Sequence, residues 1–181
     1  VDLAYGADHE LIVVDRHDGT GAQQRSEYFA GMAERLTDGS GALTDKYYIF
    51  AEGRRVAQVV DDGISVAVEY FHYDALGSVT ALSDASGGIV QQHRYGPFGK
   101  RRKLNGEQDG TNALLFQLPG ATQFGYTGHE QLDVVGLVHM GGRVYDPIIG
   151  RVLSRDPVVR DIYTPASING YSYVENSPMS F

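Results

Sequence analysis

A short motif that returns along the chain constrains its fold more than any other feature. Tyr73-Asp74-Ala75-Leu76-Gly77 closes one strand-like stretch, and Ser78-Val79 opens the next. Tyr95-Gly96-Pro97-Phe98-Gly99 repeats the Tyr-x-x-x-Gly frame 22 positions later. Tyr145-Asp146-Pro147-Ile148-Ile149-Gly150 repeats Tyr-Asp with one extra residue before the glycine. The spacing is that of a tight turn. The Asp carboxylate accepts from turn amides, the glycine takes a positive φ, and a new strand begins. The Tyr ring is expected to cover the apolar face of its hairpin and to turn its hydroxyl towards water. A single hairpin is marginal in water, so such units must stack on one another.

The rest of the chain fits that frame. Short strands are predicted at Leu11–Val14, Gln24–Phe29, Ala33–Leu36, Thr44–Phe50, Arg55–Val60, Ile64–Phe71, Val79–Leu82 and Ile89–Tyr95. Turns separate them at Asp61–Gly63, Ala75–Gly77 and Asp84–Gly88. In Ile64–Phe71, the residues Ile64, Val66 and Val68 alternate and predict one apolar face. The fold class that follows is mainly β, built of consecutive antiparallel hairpins and ending in a turn-rich segment. At most one short helix is expected, near Ala166–Val174. Twenty-three glycines and twelve tyrosines agree with a turn-rich β-protein.

Charge and composition exclude several classes. A net charge of −8 argues against a general nucleic-acid binder, which must neutralise phosphates. The absence of cysteine removes disulfides, thiolate catalysis and Cys-ligated zinc. No run approaches the roughly 20 apolar residues of a membrane span, and Val1–Tyr5 lacks the marks of a signal peptide. The cluster Lys100-Arg101-Arg102-Lys103 reads as a solvated loop. Asp8, His9, Asp15, His17 and Asp18 crowd together, but without the spacing of a zinc protease they read as an acidic surface turn. No phosphate loop and no Gly-x-Ser-x-Gly elbow is present, so neither nucleotide nor cofactor is expected.

The motifs together resemble the YD-repeat, or Rhs, family. Tyr126-Thr127-Gly128-His129-Glu130 with Val135-Gly136-Leu137-Val138-His139-Met140 is similar to the start of the Rhs-associated core. Gly142–Pro147 and Gly150–Pro157 are similar to its centre, and Asn169–Pro178 to its end. The domain reading is hairpin repeats over 1–102, a loop over 103–123, and a core over 124–181 that stops before the family's Asp-Pro-x-Gly end. The resemblance implies a segment of a spiral β-shell around a C-terminal toxin, in a secreted or cell-surface protein. Implied partners are the upstream shell repeats, the toxin, an immunity protein and a secretion apparatus. A surface glycan is the alternative partner, held on a tyrosine platform such as Tyr47, Tyr48, Tyr70 and Tyr73.

The resemblance also implies an aspartic-type self-cleavage site. By motif position, Asp156 matches one of the family's aspartates and Arg143 its supporting arginine. The partner aspartate and the scissile bond would lie beyond Phe181, so the 181-residue chain is not expected to cleave itself. A plain structural pairing of Arg143 with Asp156 remains open. Asp146 before Pro147 reads as a hairpin-turn Asp, like Asp74.

Overall fold

The computed structural model describes residues 1–8, 10–17, 23–107, 122–158 and 168–179. Nine strands form one antiparallel meander in which each pairs only with its sequence neighbours. They are β1 (Asp2–Tyr5), β2 (Leu11–His17), β3 (Gln23–Phe29), β4 (Ala33–Thr37) and β5 (Leu43–Ala51). β6 (Arg54–Asp61), β7 (Val66–Tyr73), β8 (Val79–Ser83) and β9 (Ile89–Gln92) complete the sheet. A small hairpin follows, β10 (Arg94–Tyr95) with β11 (Arg101–Arg102). The last sheet orders β12 (Glu130–Leu132), β13 (Leu137–Met140), β14 (Arg143–Asp146) and β15 (Arg151–Val152).

The turns have the expected chemistry. Asp74 Oδ1 accepts from the amides of Leu76 and Ser78 at 2.9 and 2.8 Å, and Gly77 takes φ +79°. Asp84 and Asp38 repeat that pattern in the neighbouring hairpins. Each such carboxylate satisfies two turn amides that no strand partner reaches.

One expectation about the sheet is corrected. Ile64 lies in a turn and is 95% exposed, while Val66 and Val68 face outwards with Tyr47, Val59 and Tyr70. The inner face instead buries Arg16, Ser26, Glu34, Lys46, Gln58 and Glu69. These polar side chains pair with one another, although Arg16 Nε, Glu34 Oε1 and Gln58 Oε1 are left without a hydrogen bond. Arg16 Nη1 donates to Ser26 Oγ at 2.7 Å, Lys46 Nζ lies 3.5 Å from Glu34 Oε2, and Gln58 Nε2 donates to Glu69 Oε2 at 2.7 Å. Val66 and Val68 thus share one face as the alternation predicts, but burial falls on the opposite face, where the polar side chains are paired.

The expected strand Ile89–Tyr95 breaks at His93. The His93 amide donates to the Thr80 carbonyl at 2.7 Å, after which the chain leaves the large sheet and pairs with Arg101–Arg102. That pairing corrects the basic cluster too: Arg101 is 5% exposed rather than solvated. Residues 159–167 are outside the described residues, and with them the start of the expected helix. At its other end Tyr173 is extended, and a left-handed turn runs over Val174–Asn176.

Residues 122–132 lie on the inner face of the meander. Phe124 packs edge-on against Tyr48 at 5.3 Å, in a cluster with Phe71, Val79 and Leu82. Arg55 covers its other face, with the guanidinium 3.5 Å from the ring centre. The Val79 amide donates to the Gly125 carbonyl at 3.0 Å. A second cluster joins Tyr126, Val138, Tyr145 and Val152. The repeat tyrosines do not turn their hydroxyls to water. Tyr73 donates to the Arg55 carbonyl, Tyr95 to Val79, Tyr126 to Pro97 and Tyr145 to Phe98. Each ring thus fills the core while its hydroxyl satisfies a carbonyl of a preceding hairpin.

Candidate functional site

The two residues singled out for cleavage come together. Arg143 opens β14, and Asp156 follows β15 by four residues. Arg143 Nη1 lies 2.9 Å from Asp156 Oδ2, off the line of a hydrogen bond, with both side chains about one-third exposed. Asp156 Oδ1 accepts from the Val158 amide at 3.0 Å, and the Asp156 amide donates to the Gly170 carbonyl at 2.8 Å. The backbone at Gly170 passes so close that a Cβ there would stand 3.2 Å from the Asp156 amide nitrogen. The carboxylate is thus held by its own turn and by Arg143, while the turn at residues 169–172 holds the Asp156 backbone.

A groove of about 430 Å³ runs beside the pair, lined by Arg143, Ser154 and apolar side chains including Leu3, Tyr5, Leu137 and Leu153. One wall comes from β1 and the other from the core sheet. Among the described residues, the site offers one carboxylate, one guanidinium and an apolar trough. An aspartic mechanism needs a second carboxylate to share the proton.

Asp146 does not serve as that second group. Its Oδ1 accepts from the Ile148 amide at 2.8 Å, and it pairs in register with Arg151, which leaves it a turn residue. The other titratable candidates are also placed. His9 and Asp18 lie outside the described residues. Asp15 faces Arg25 at 3.1 Å, and His17 Nε2 is 3.3 Å from Asp2. His129 Nδ1 lies 2.9 Å from Thr127 Oγ1, and His139 Nε2 lies 3.0 Å from the Tyr5 hydroxyl. Burial holds both imidazoles below their ordinary pKa.

Glu130, named in the sequence only as the end of the motif that starts at Tyr126, occupies the junction of sheet and core. Its Oε1 accepts from Arg16 Nη2 and from the Tyr28 hydroxyl, each at 2.7 Å. Burial raises this carboxyl, Arg16 and then Tyr28 offset part of the rise, and the net value is about 7. No sequence signal marks Arg16 as its partner, 114 residues away.

The tyrosines divide by face. Tyr48, Tyr126 and Tyr145 are buried in the two clusters, and Tyr73 is half-buried against the first. Tyr47 and Tyr70 stand exposed on the outer face of the meander. Tyrosine in this chain is chiefly a stacking residue.

Comparison with known proteins agrees with this architecture. The family model of the teneurin YD-shell matches residues 65–179. The tRNA3(Ser)-specific nuclease WapA of Bacillus spizizenii is 26% identical over 143 residues, covering 79% of this chain and 6% of that protein. Toxin subunit YenC1 of Yersinia entomophaga is 24% identical, with 93% of this chain and 17% of that protein covered. The chain therefore spans less than a fifth of these relatives. The crystal structure of TcdB2-TccC3 without its hypervariable C-terminal region superposes with a TM-score of 0.72 at 22% identity. That match covers 98% of this chain and 8% of the larger one, and it is a likeness of fold. The chain belongs to the teneurin YD-shell family, as a YD-repeat/Rhs shell segment.

Proposed function

We propose that this chain is a wall-and-core segment of a shell that encloses and presents a toxin, in a secreted or cell-surface protein. The supporting observation is the way residues 122–132 are laid into the inner face of the meander. A wall alone has no need of a plug fixed to it by Phe124, the Gly125 carbonyl and Glu130. Relatives named as toxins or nucleases support the same reading. Among the described residues, no helix is long and apolar enough to cross a membrane.

Within that reading, Arg143 and Asp156 form half of an aspartic-type self-cleavage site. Their ion pair holds the carboxylate in one orientation, as a general base requires, and leaves the second carboxylate to be supplied. The 181-residue chain should therefore be stable in intact mass over time. Extended through an Asp-Pro-x-Gly stretch, it should cleave, and Asp156→Asn should stop the cleavage without altering the fold. Equal cleavage in both extended proteins removes Asp156 from the mechanism. A glycan array run beside a pull-down with upstream shell repeats separates encapsulation from adhesion through Tyr47 and Tyr70. Sugar binding without shell association reverses the ranking.

A further inference from the structure

The junction between the meander and the small hairpin holds a buried group that neither the fold nor the cleavage site uses. His93 stands where the strand breaks and is 7% exposed. Its Nε2 is shut away from solvent and has no hydrogen-bond partner. Beside it lies Arg101, 5% exposed, whose Nε, Nη1 and Nη2 are likewise buried without hydrogen bonds. The nearest compensation is Asp133, whose Oδ1 is 3.7 Å from Arg101 Nε, and the Tyr95 ring, 5.8 Å from the guanidinium. A buried guanidinium with no hydrogen bond is already a costly arrangement, tolerable because one carboxylate balances one cation.

We propose that His93 is an acid-operated latch, whose protonation loosens the β10–β11 hairpin from the core sheet. The charge tally gives the reason. With a neutral imidazole the cluster holds Arg101 and Asp133, one of each sign. A proton on His93 adds a second cation, and among the described residues no hydrogen-bond partner stands at its Nε2. The other groups facing the site do not relieve it. Arg94, Tyr95 and Arg102 come from the hairpin, Asp74 from the β7–β8 turn and Tyr126 from the core, around a cavity of about 510 Å³. Asp74 is committed to the amides of Leu76 and Ser78, and the remaining groups are cationic or phenolic.

The hairpin is the part that yields. Its strands are two residues each, and it is fastened to the core by Tyr126 to the Pro97 carbonyl, Tyr145 to the Phe98 carbonyl and Arg101 to Asp133. Burial first, and Arg101 second, hold the imidazole down to about 3. The folded state thus resists a proton that the unfolded chain accepts near 6.5. Stability from this group is complete above about 6.5 and is lost as pH falls towards 3.

Hydrogen exchange, corrected for intrinsic rates, tests the latch in the 181-residue chain. Between pH 7.5 and 4.5, amides of residues 94–102 should lose about 100-fold in protection, the ratio set by two pH units below 6.5. At both pH values the hairpin should be less protected than strands β3–β6, as a local opening requires, and His93→Gln should abolish its loss. The same loss in His93→Gln, or a hairpin as strongly protected as strands β3–β6, overturns the proposal. A nuclear magnetic resonance titration of the wild-type imidazole gives a second readout that needs no variant. It should remain neutral through pH 4.5 while the hairpin is closed, and titration near 6.5 refutes the latch.

Discussion

Arg16→Met is the sharpest test of how sheet and core are joined. Arg16 is 1% exposed; its Nη2 contacts Glu130 and its Nη1 contacts Ser26. Methionine fills much of the volume but leaves the Glu130 carboxylate with Tyr28 as its remaining hydrogen-bond donor. Breaking one side of a buried ion pair costs about 3–5 kcal/mol, because the other charge stays buried. That cost depends on pH in a fixed direction. The folded pKa of Glu130 is raised from 4.5 to about 7 with Arg16 in place, and losing the guanidinium raises it further. A raised carboxyl pKa means that the folded state takes up the proton first. The destabilisation is therefore full above the variant's folded pKa and fades as pH falls from there to about 7, the wild-type value, by at most about 1.4 kcal/mol per unit. Urea unfolding at pH 8 should show the larger deficit, and at pH 5, where both folded states hold the proton, only about 1–2 kcal/mol should remain for the lost hydrogen bonds and packing. Combining Arg16→Met with Glu130→Leu should recover part of the loss at pH 8, because the orphaned charge is gone. A deficit equal at both pH values, or strict additivity of the two substitutions, refutes the reasoning.

Other substitutions probe the turns and the tyrosine ties. Gly99 has φ +85°, and a Cβ there would lie 2.4 Å from the Tyr126 ring, whereas Gly77 at φ +79° faces open space. Gly77→Ala should thus cost about 1 kcal/mol from backbone conformation alone, and Gly99→Ala should lower Tm clearly further; equal Tm values would mean that the hairpin does not seat on Tyr126. Tyr145→Phe keeps the ring and deletes the bond to the Phe98 carbonyl, 2.9 Å long. It should cost about 1–2 kcal/mol and raise amide exchange in the hairpin, and unchanged exchange there would show that the hydroxyl is no tie.

The parts of this fold that were legible in the sequence are those whose causes are local. Asp74, Gly77 and their equivalents carry their turn chemistry within five residues, so the meander and its order follow from the repeat alone. The pairing of Arg143 with Asp156 was accessible for a different reason, since both stand in motifs that resemble one family. What failed was any inference that needed a distant partner. Val66 and Val68 alternate as a buried face would, yet the buried face carries Glu69 and Phe71, because residues 122–132 arrive to cover it. Arg16 reads as a surface charge until Glu130 is brought against it from 114 residues away. Arg101 reads as one of four solvated cations until β10 and β11 fold it in towards Asp133. The errors share one cause. A hydropathy pattern reports the cost of burying a side chain alone, and in this chain many buried side chains are polar and come in pairs. The tyrosines show the same rule from the apolar side. Their rings were expected in the core, but their hydroxyls found carbonyls 16 to 47 residues away rather than water. Such long-range polar ties tolerate only the register that satisfies them. They specify how core and wall sit together, a specificity that apolar packing alone supplies less strictly.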